Sequence, residues 1–205
     1  MSARRVPRRR TPLRRTVLPA VGAAATALVL TSCLGGGTSG GSAGTKFVAG
    51  TGGIDTAKKA DRQPLPDISG TTLDGKKLNL ADYKGKLLVI NVWGSWCSPC
   101  RLEMPHLVKV AKATKADGVE FVGINVRDPN KPPAVKFQKE FGVPYPSLYD
   151  PVGKLMLRFP AGSLNPKAIP STVIVDRDGK VAARALKALS EDELRKALDP
   201  LIAEK

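Results

Sequence analysis

The sequence predicts an α/β domain built on a mixed parallel and antiparallel sheet. Leu87-Leu88-Val89-Ile90-Asn91-Val92 is a nearly continuous apolar run, the pattern of a central strand covered on both faces. A helical pattern separates it from a second such run, residues 119–126. Strand–helix–strand order requires a parallel pair joined by a right-handed crossover. Two other segments place Asp-Gly between short alternating stretches, Asp74-Gly75 and Asp178-Gly179, and hairpins with tight Asp-Gly turns are antiparallel.

The elements follow in order. Residues 68–73 and 76–80 form the first hairpin, with Leu78 and Leu80 on one face. The helix after the first buried strand is expected from Cys97 to about Ala116, with Leu102, Leu107, Val108 and Val110 as its apolar side, Pro105 as a kink and Asp117-Gly118 as its stop. Pro132 or Pro133 starts a helix running to Phe141, since a first-turn proline loses no helical hydrogen bond. Residues 147–149 read as a short strand, residues 153–159 as a short helix, and residues 171–176 and 180–183 as the second hairpin. Ser190-Glu191-Asp192-Glu193 is a capping box that opens the last helix, residues 194 to about 203. No internal repeat is present.

The ends differ from the middle of this 205-residue chain. Residues 1–16 hold seven arginines and no acid, and residues 17–30 are small and apolar. A basic segment and a 14-residue apolar run are an export signal, and the run falls short of the ~20 residues a spanning helix needs. Leu30-Thr31-Ser32-Cys33 resembles the bacterial lipobox, which implies cleavage before Cys33 and acylation of its thiol. Arg14-Arg15 also looks like a twin-arginine signal, and the export route stays open. Residues 35–53 are dominated by Gly, Ser, Thr and Ala, a flexible tether with a root-mean-square reach of about 25 Å. The division is therefore signal peptide 1–32, acylated Cys33 and tether 33–63, and one folded domain 64–205.

Formal charge is +15, but removing the seven signal arginines from 33 basic residues leaves 26 against 18 acids, a net +8. These cations are spread without interleaved aromatics, so a nucleic-acid groove is not expected; a solvated surface near anionic headgroups accounts for them.

With Cys33 acylated, two thiols remain, in Trp96-Cys97-Ser98-Pro99-Cys100. In the first turn of a helix, residues i and i+3 have Cα atoms about 5 Å apart, within the range a disulfide spans. So short a loop stabilises little as a staple, which favours a redox pair. Cys97 falls at or beside the N-cap, where unpaired N–H groups and the positive end of the helix dipole favour a thiolate; Cys100 lies one turn in and is shielded. Lowering a thiol pKa from about 8.5 towards 7 raises its ionised fraction at neutral pH from a few per cent to about half. Only the thiolate attacks a disulfide.

Residues 91–105, Asn91 to Pro105 through Trp93-Gly94-Ser95-Trp96 and the CxxC, together with Gly123-Ile124-Asn125-Val126, Tyr145-Pro146-Ser147 and Ile169-Pro170-Ser171-Thr172, resemble the TlpA/ResA type of membrane-anchored thioredoxin-like protein. The resemblance implies a thioredoxin-like three-layer α/β/α fold with an N-terminal β-hairpin and an inserted segment in the central region. It further implies that Pro170 is cis beside the sulfurs and that Ile169 offers its backbone to a substrate strand. By the same resemblance Glu103 lies in the active-site cleft and tunes the thiols, against the plainer reading of a solvated first-turn glutamate. The chain departs from ordinary thioredoxin at Asn91, six residues before Cys97, where an acid assists proton transfer; an amide takes no proton, which leaves Glu103 or water as the base for Cys100.

Trp93 reads as core, and Trp96, immediately before the thiol, as a cleft cover that contacts clients. His106 is the only histidine and reads as a partly exposed helical residue. No metal site is expected, because Cys97, Cys100 and His106 offer three ligands at best on one helix. No flavin or nicotinamide motif is present, so no cofactor is expected beyond the Cys97–Cys100 couple.

Together these point to a lipoprotein at the outer face of the cytoplasmic membrane that reduces protein disulfides. Clients such as apocytochrome c and an electron donor of CcdA/DsbD type come from the resemblance. Two other classes fit less well. A peroxiredoxin-like peroxidase needs Pro-x-x-x-Thr-x-x-Cys, but Ile90 and Gly94 stand at those places; a Sco-type copper carrier needs CxxxC.

Overall fold

The computed structural model describes residues 46–204. In chain order these form β1 (Val48–Ala49), β2 (Ile54–Thr56), β3 (Gln63–Pro64), β4 (Ser69–Thr71), β5 (Lys77–Asn79), β6 (Leu87–Trp93), α1 (Ser98–Ala113), β7 (Val119–Val126), α2 (Lys131–Phe141), β8 (Ser147–Asp150), β9 (Ser171–Val175), β10 (Lys180–Ala185) and α3 (Glu191–Ala203). The signal peptide, Cys33 and residues 34–45 of the expected tether lie outside the described residues.

The two apolar runs are the parallel pair β6–β7, from Leu87 beside Val119 to Trp93 beside Asn125. Their neighbours are β8, parallel to β7, and β9, antiparallel to β6. The main sheet runs β1-β2-β10-β9-β6-β7-β8, so it is mixed. Side chains alternate across it. Leu87, Val89 and Trp93 meet one core with α1, α2 and α3, through Met104, Leu107, Phe137, Leu194 and Leu198. Leu88, Ile90 and Val92 meet a second core under Ile68, Leu80, Met156 and Phe159. All three α-helices therefore cover one face. The other face is covered by the β4–β5 hairpin and two single 3₁₀ turns, Leu80–Tyr83 and Met156–Arg158, the latter standing within the expected helix 153–159.

Both Asp-Gly hairpins form with three-residue loops instead of two. Thr72 N–H donates to Lys76 O, and Asp176 N–H to Lys180 O. Gly75 and Gly179 take the left-handed conformation, φ 89° and 77°, as the last residue of a type I turn followed by a bulge requires.

Structure begins earlier than residue 64. β2 pairs with the edge of β10 (Ile54 beside Ala185), and β1 pairs with β2. The Arg184–Asp55 ion pair at 3.0 Å and the stacking of Arg184 on Phe47 hold this extension. The expected tether of residues 33–63 is therefore overturned from Val48 onward, where the chain joins the sheet. The reason is local: Phe47 and Ile54 supply the apolar contacts that the glycine-rich composition around them conceals.

α1 also differs from expectation. It is α-helical over Ser98–Ala113 and passes through a 3₁₀ turn, Lys115–Asp117, to Gly118 at φ 76°. Its buried stripe is Cys100, Glu103, Met104, Leu107, Val108, Val110 and Ala111. Leu102 is 74 % exposed, because two residues past Cys100 is about 200° around the helix, on the far side of that stripe. The capping box of α3 is complete: Ser190 Oγ accepts from Glu193 N–H, and Glu193 Oε2 accepts from Ser190 N–H at 2.9 Å.

Candidate functional site

β6 and β7 end together, and the loops leaving their C-terminal ends meet. One is Gly94-Ser95-Trp96-Cys97, the other Arg127-Asp128-Pro129-Asn130. In open α/β sheets this crevice is where sites collect. Gly94 allows the first loop to fold back, since a Cβ there would stand 2.8 Å from Trp96 Nε1.

Cys97 is the N-cap of α1 and forms a disulfide with Cys100, Cα to Cα 5.3 Å. Cys100 N–H donates to Cys97 Sγ at 3.2 Å, and Cys97 O accepts the first helical bond from Arg101 N–H. Cys100 is fully buried, whereas Cys97 keeps 4 % of its surface. Of the two cysteines, Cys97 is thus the less deeply buried and the one whose sulfur an N–H already solvates. Trp96 is 52 % exposed beside it. Trp93 is core, stacked on Phe137 at 4.6 Å between centroids and donating to Ser147 Oγ.

The Ile169–Pro170 bond is cis. Pro170 is buried and Ile169 half-buried at the start of β9, which is hydrogen-bonded to β6 by the pairing of Ser171 with Val92. His106 is exposed on α1.

Glu103 is 1 % exposed, so it is no solvated first-turn residue. It lies in the core between α1 and the sheet. Its Oε2 accepts from Asn91 Nδ2 at 3.2 Å and its Oε1 from Leu189 N–H at 3.0 Å, just before α3. Asn91 Nδ2 also reaches Thr172 Oγ1 at 3.1 Å, its cross-strand neighbour. Among the described residues no cation faces this carboxyl. Burial pushes it up to about 7 from an ordinary 4.5, and the three hydrogen bonds around it recover only part of that. Burial likewise raises the neighbouring Tyr145 phenol, which donates to Met104 Sδ at 3.4 Å. Asn91 is thus an orienter: it fixes a protonatable group that sits one turn along α1 from Cys100.

Sequence reading missed Ser95, Arg127, Asp128 and Leu189. Asp128 is 2 % exposed and accepts from Ser95 N–H (2.9 Å), Ser95 Oγ (2.5 Å) and Asn125 Nδ2 (2.6 Å), which fastens the cysteine-bearing loop to the end of β7. The available signal was positional, an acid immediately after a buried parallel strand.

Comparison with known proteins agrees with this geometry. The model of the Redoxin family matches residues 60–199. Thiol-disulfide oxidoreductase ResA of Geobacillus thermodenitrificans is 30 % identical over 136 residues, 66 % of this chain and 75 % of that protein. Thiol:disulfide interchange protein HelX of Rhodobacter capsulatus is 38 % identical over 121 residues, 58 % of this chain and 62 % of that protein. Among solved structures, a secreted thiol-disulfide isomerase from Corynebacterium glutamicum superposes with a TM-score of 0.71 at 32 % identity, covering 78 % of this chain and 98 % of that one. A DsbF homologue from Corynebacterium diphtheriae gives 0.68 at 36 % identity, covering 77 % and 100 %.

Proposed function

The chain belongs to the Redoxin family, and from that premise we propose that it is an extracytoplasmic thiol-disulfide oxidoreductase that works as a protein-disulfide reductase. The observation that carries this reading is the Cys97–Cys100 pair, with Cys97 at the N-cap of α1 and Cys100 sealed behind it.

In the reduced protein the Cys97 thiolate attacks a client disulfide. A Cys97–client bond forms and the first client sulfur leaves as a thiolate. The Cys100 thiolate then attacks Cys97 Sγ, the Cys97–Cys100 bond forms, and the second client thiolate leaves. Two electrons pass to the client, and each departing thiolate takes up a proton. Cys100 must lose its proton in a site without solvent, and Glu103, raised to about 7, is matched to accept it at neutral pH. Trp96 covers the approach and the Ile169–Pro170 segment receives the client strand. An outside dithiol must return the two electrons, and a membrane donor of CcdA/DsbD type suits a domain tethered through an acylated Cys33. Disulfide-bearing clients such as apocytochrome c, awaiting haem, are the substrate class this reading favours. Among the described residues no helix is long and apolar enough to cross a membrane, and the lipid anchor is the proposed attachment.

The reading is tested with Cys100→Ser, which should accumulate a covalent client complex released by added dithiol, while Cys97→Ser should trap none. A redox titration fixes the direction: a potential near −120 mV, that of a strong oxidant such as DsbA, would overturn the reductase assignment.

A further inference from the structure

Trp96 does not stand alone at the mouth of the site. Arg127 lies over its indole, guanidinium carbon 5.2 Å from the ring centroid. Arg127 is the sole non-glycine with positive φ among the described residues, at 57°, and it is exposed. Such a backbone is uncommon for a residue with a Cβ, and it persists where surrounding contacts impose it. Those contacts are on the next residue. Asp128 is held inward by the two bonds to Ser95 and the one from Asn125, so the chain must turn at Arg127, and its side chain is thrown outward across Trp96.

That turn also separates the charges. Asp128 spends its carboxylate on Ser95 and Asn125, and among the described residues no acid pairs with Arg127. The other arginines packed on aromatic rings here are paired: Arg101, against Phe137 and Phe141, meets Glu140, and Arg184, against Phe47, meets Asp55. Arg127 is a stacked, pre-oriented guanidinium with its hydrogen-bond donors open to solvent, next to the residue that precedes the attacking sulfur. A stacked guanidinium keeps its fork in one plane, which lowers the entropy lost when it grips a carboxylate.

We propose that Trp96 and Arg127 form a client-reading surface that selects disulfides flanked by Asp or Glu. The inference rests on the thiol–disulfide exchange proposed above. An extended client advances about 3.3 Å per residue, so a side chain one or two positions from the client cysteine falls over the indole and within reach of Arg127. Ser95 and Asp128 are positioning residues, since they set the turn and touch no client.

The test uses three synthetic peptides, each with one intramolecular disulfide flanked by Glu, Ser or Lys, and the reduced full-length protein in single-turnover stopped flow. The wild type should react about 5- to 10-fold faster with the Glu peptide than with the Lys peptide, the range expected for one rim charge, and the ratio should shrink with added salt. In Arg127→Asn, whose side chain tolerates the left-handed backbone, the ratio should fall below about twofold; in Arg127→Glu it should invert; Arg127→Lys should restore part of it. A preference that persists in Arg127→Asn, or none in the wild type, overturns the inference while leaving the exchange reading intact. Iodoacetamide, which is uncharged, separates recognition from thiol activation: if Arg127→Asn slows alkylation of Cys97 as much as it slows the Glu peptide, Arg127 acts on the sulfur and the inference fails. No reaction with any peptide would overturn the exchange reading itself, and this inference with it.

Discussion

Two polar clusters of this domain, one around Glu103 and one around Arg62, solve opposite problems. Between the sheet and α1, Glu103 meets Asn91 and the Leu189 N–H but no cation. Where the N-terminal extension meets the end of α3, Arg62 donates to Asp176 at 3.0 Å and to Glu204 at 2.6 Å, the three standing in connecting segments far apart in the chain. In the second cluster the charges answer one another: Arg62 is raised, chiefly by its bond to Glu204, and Glu204 is lowered by the same bond. Asp176 Oδ1 also accepts from the N–H groups of Asp178 and Lys180, closing the β9–β10 turn. In the first cluster hydrogen bonds offset only part of the desolvation and no cation answers the charge, so the carboxyl is left near 7. A compensated ion cluster keeps its charges paired. An uncompensated carboxyl gains and loses a proton where thiol chemistry runs.

The largest expected effect comes from unbalancing the compensated cluster. Arg62→Ala leaves Asp176 buried without its cation and should cost about 3–5 kcal/mol in urea unfolding, with the reductase rate per folded molecule retained. A loss under 1 kcal/mol would mean that water already solvates the pair.

The other cluster should show itself in the pH dependence of stability. Glu103 is protonated in the folded state up to about 7, whereas an unfolded glutamate ionises near 4.5. Between those pH values the folded state binds more protons, so stability falls as pH rises through the window, by about 3 kcal/mol for the oxidised protein, and levels off above it. Glu103→Gln should remove this component from a series of chemical denaturation curves; an unchanged slope would place the titration elsewhere.

Kinetically, Glu103→Gln should slow release of the second client thiolate about tenfold or more, and least at high pH, where hydroxide replaces the base. Equal rates of complex decay in wild type and variant would remove Glu103 from the resolving step. The smallest effect sharpens the comparison at its edge. Leu189, which donates to Glu103, directly precedes the Ser190 cap of α3. Ser190→Ala should cost about 1 kcal/mol and, by loosening that N–H, move the Glu103 titration further up; a titration left in place would show that α3 does not position the carboxyl.

Much of this was legible in the chain because it is local. The β6 run, the CxxC at a helix mouth, Pro132 and Pro133 in the first turn of α2, both Asp-Gly hairpins and the Ser190–Glu193 box each advertise themselves within a few residues. What was hidden is tertiary. Leu102 looks like core until the helix phase set by Cys100 turns it to solvent. Phe47 and Ile54 look like punctuation in a tether until the exposed edge of β10 gives them a place. Glu103 shares the helix face of Cys100, but its burial comes from the sheet and the segment before α3 closing on that face from both sides. Arg127 and Asp128 follow a strand as many loop residues do; their roles come from the Ser95 loop arriving opposite, which no periodicity records.

The claim that most depends on the structure is that Glu103 carries a titratable proton in the core at neutral pH. Carbon-13 NMR of the oxidised protein labelled at glutamate side-chain carboxyls, with the Glu103 resonance assigned by its loss in Glu103→Gln, measures this directly. A midpoint near 7 is the predicted result, and a midpoint at the ordinary 4.5 would contradict it.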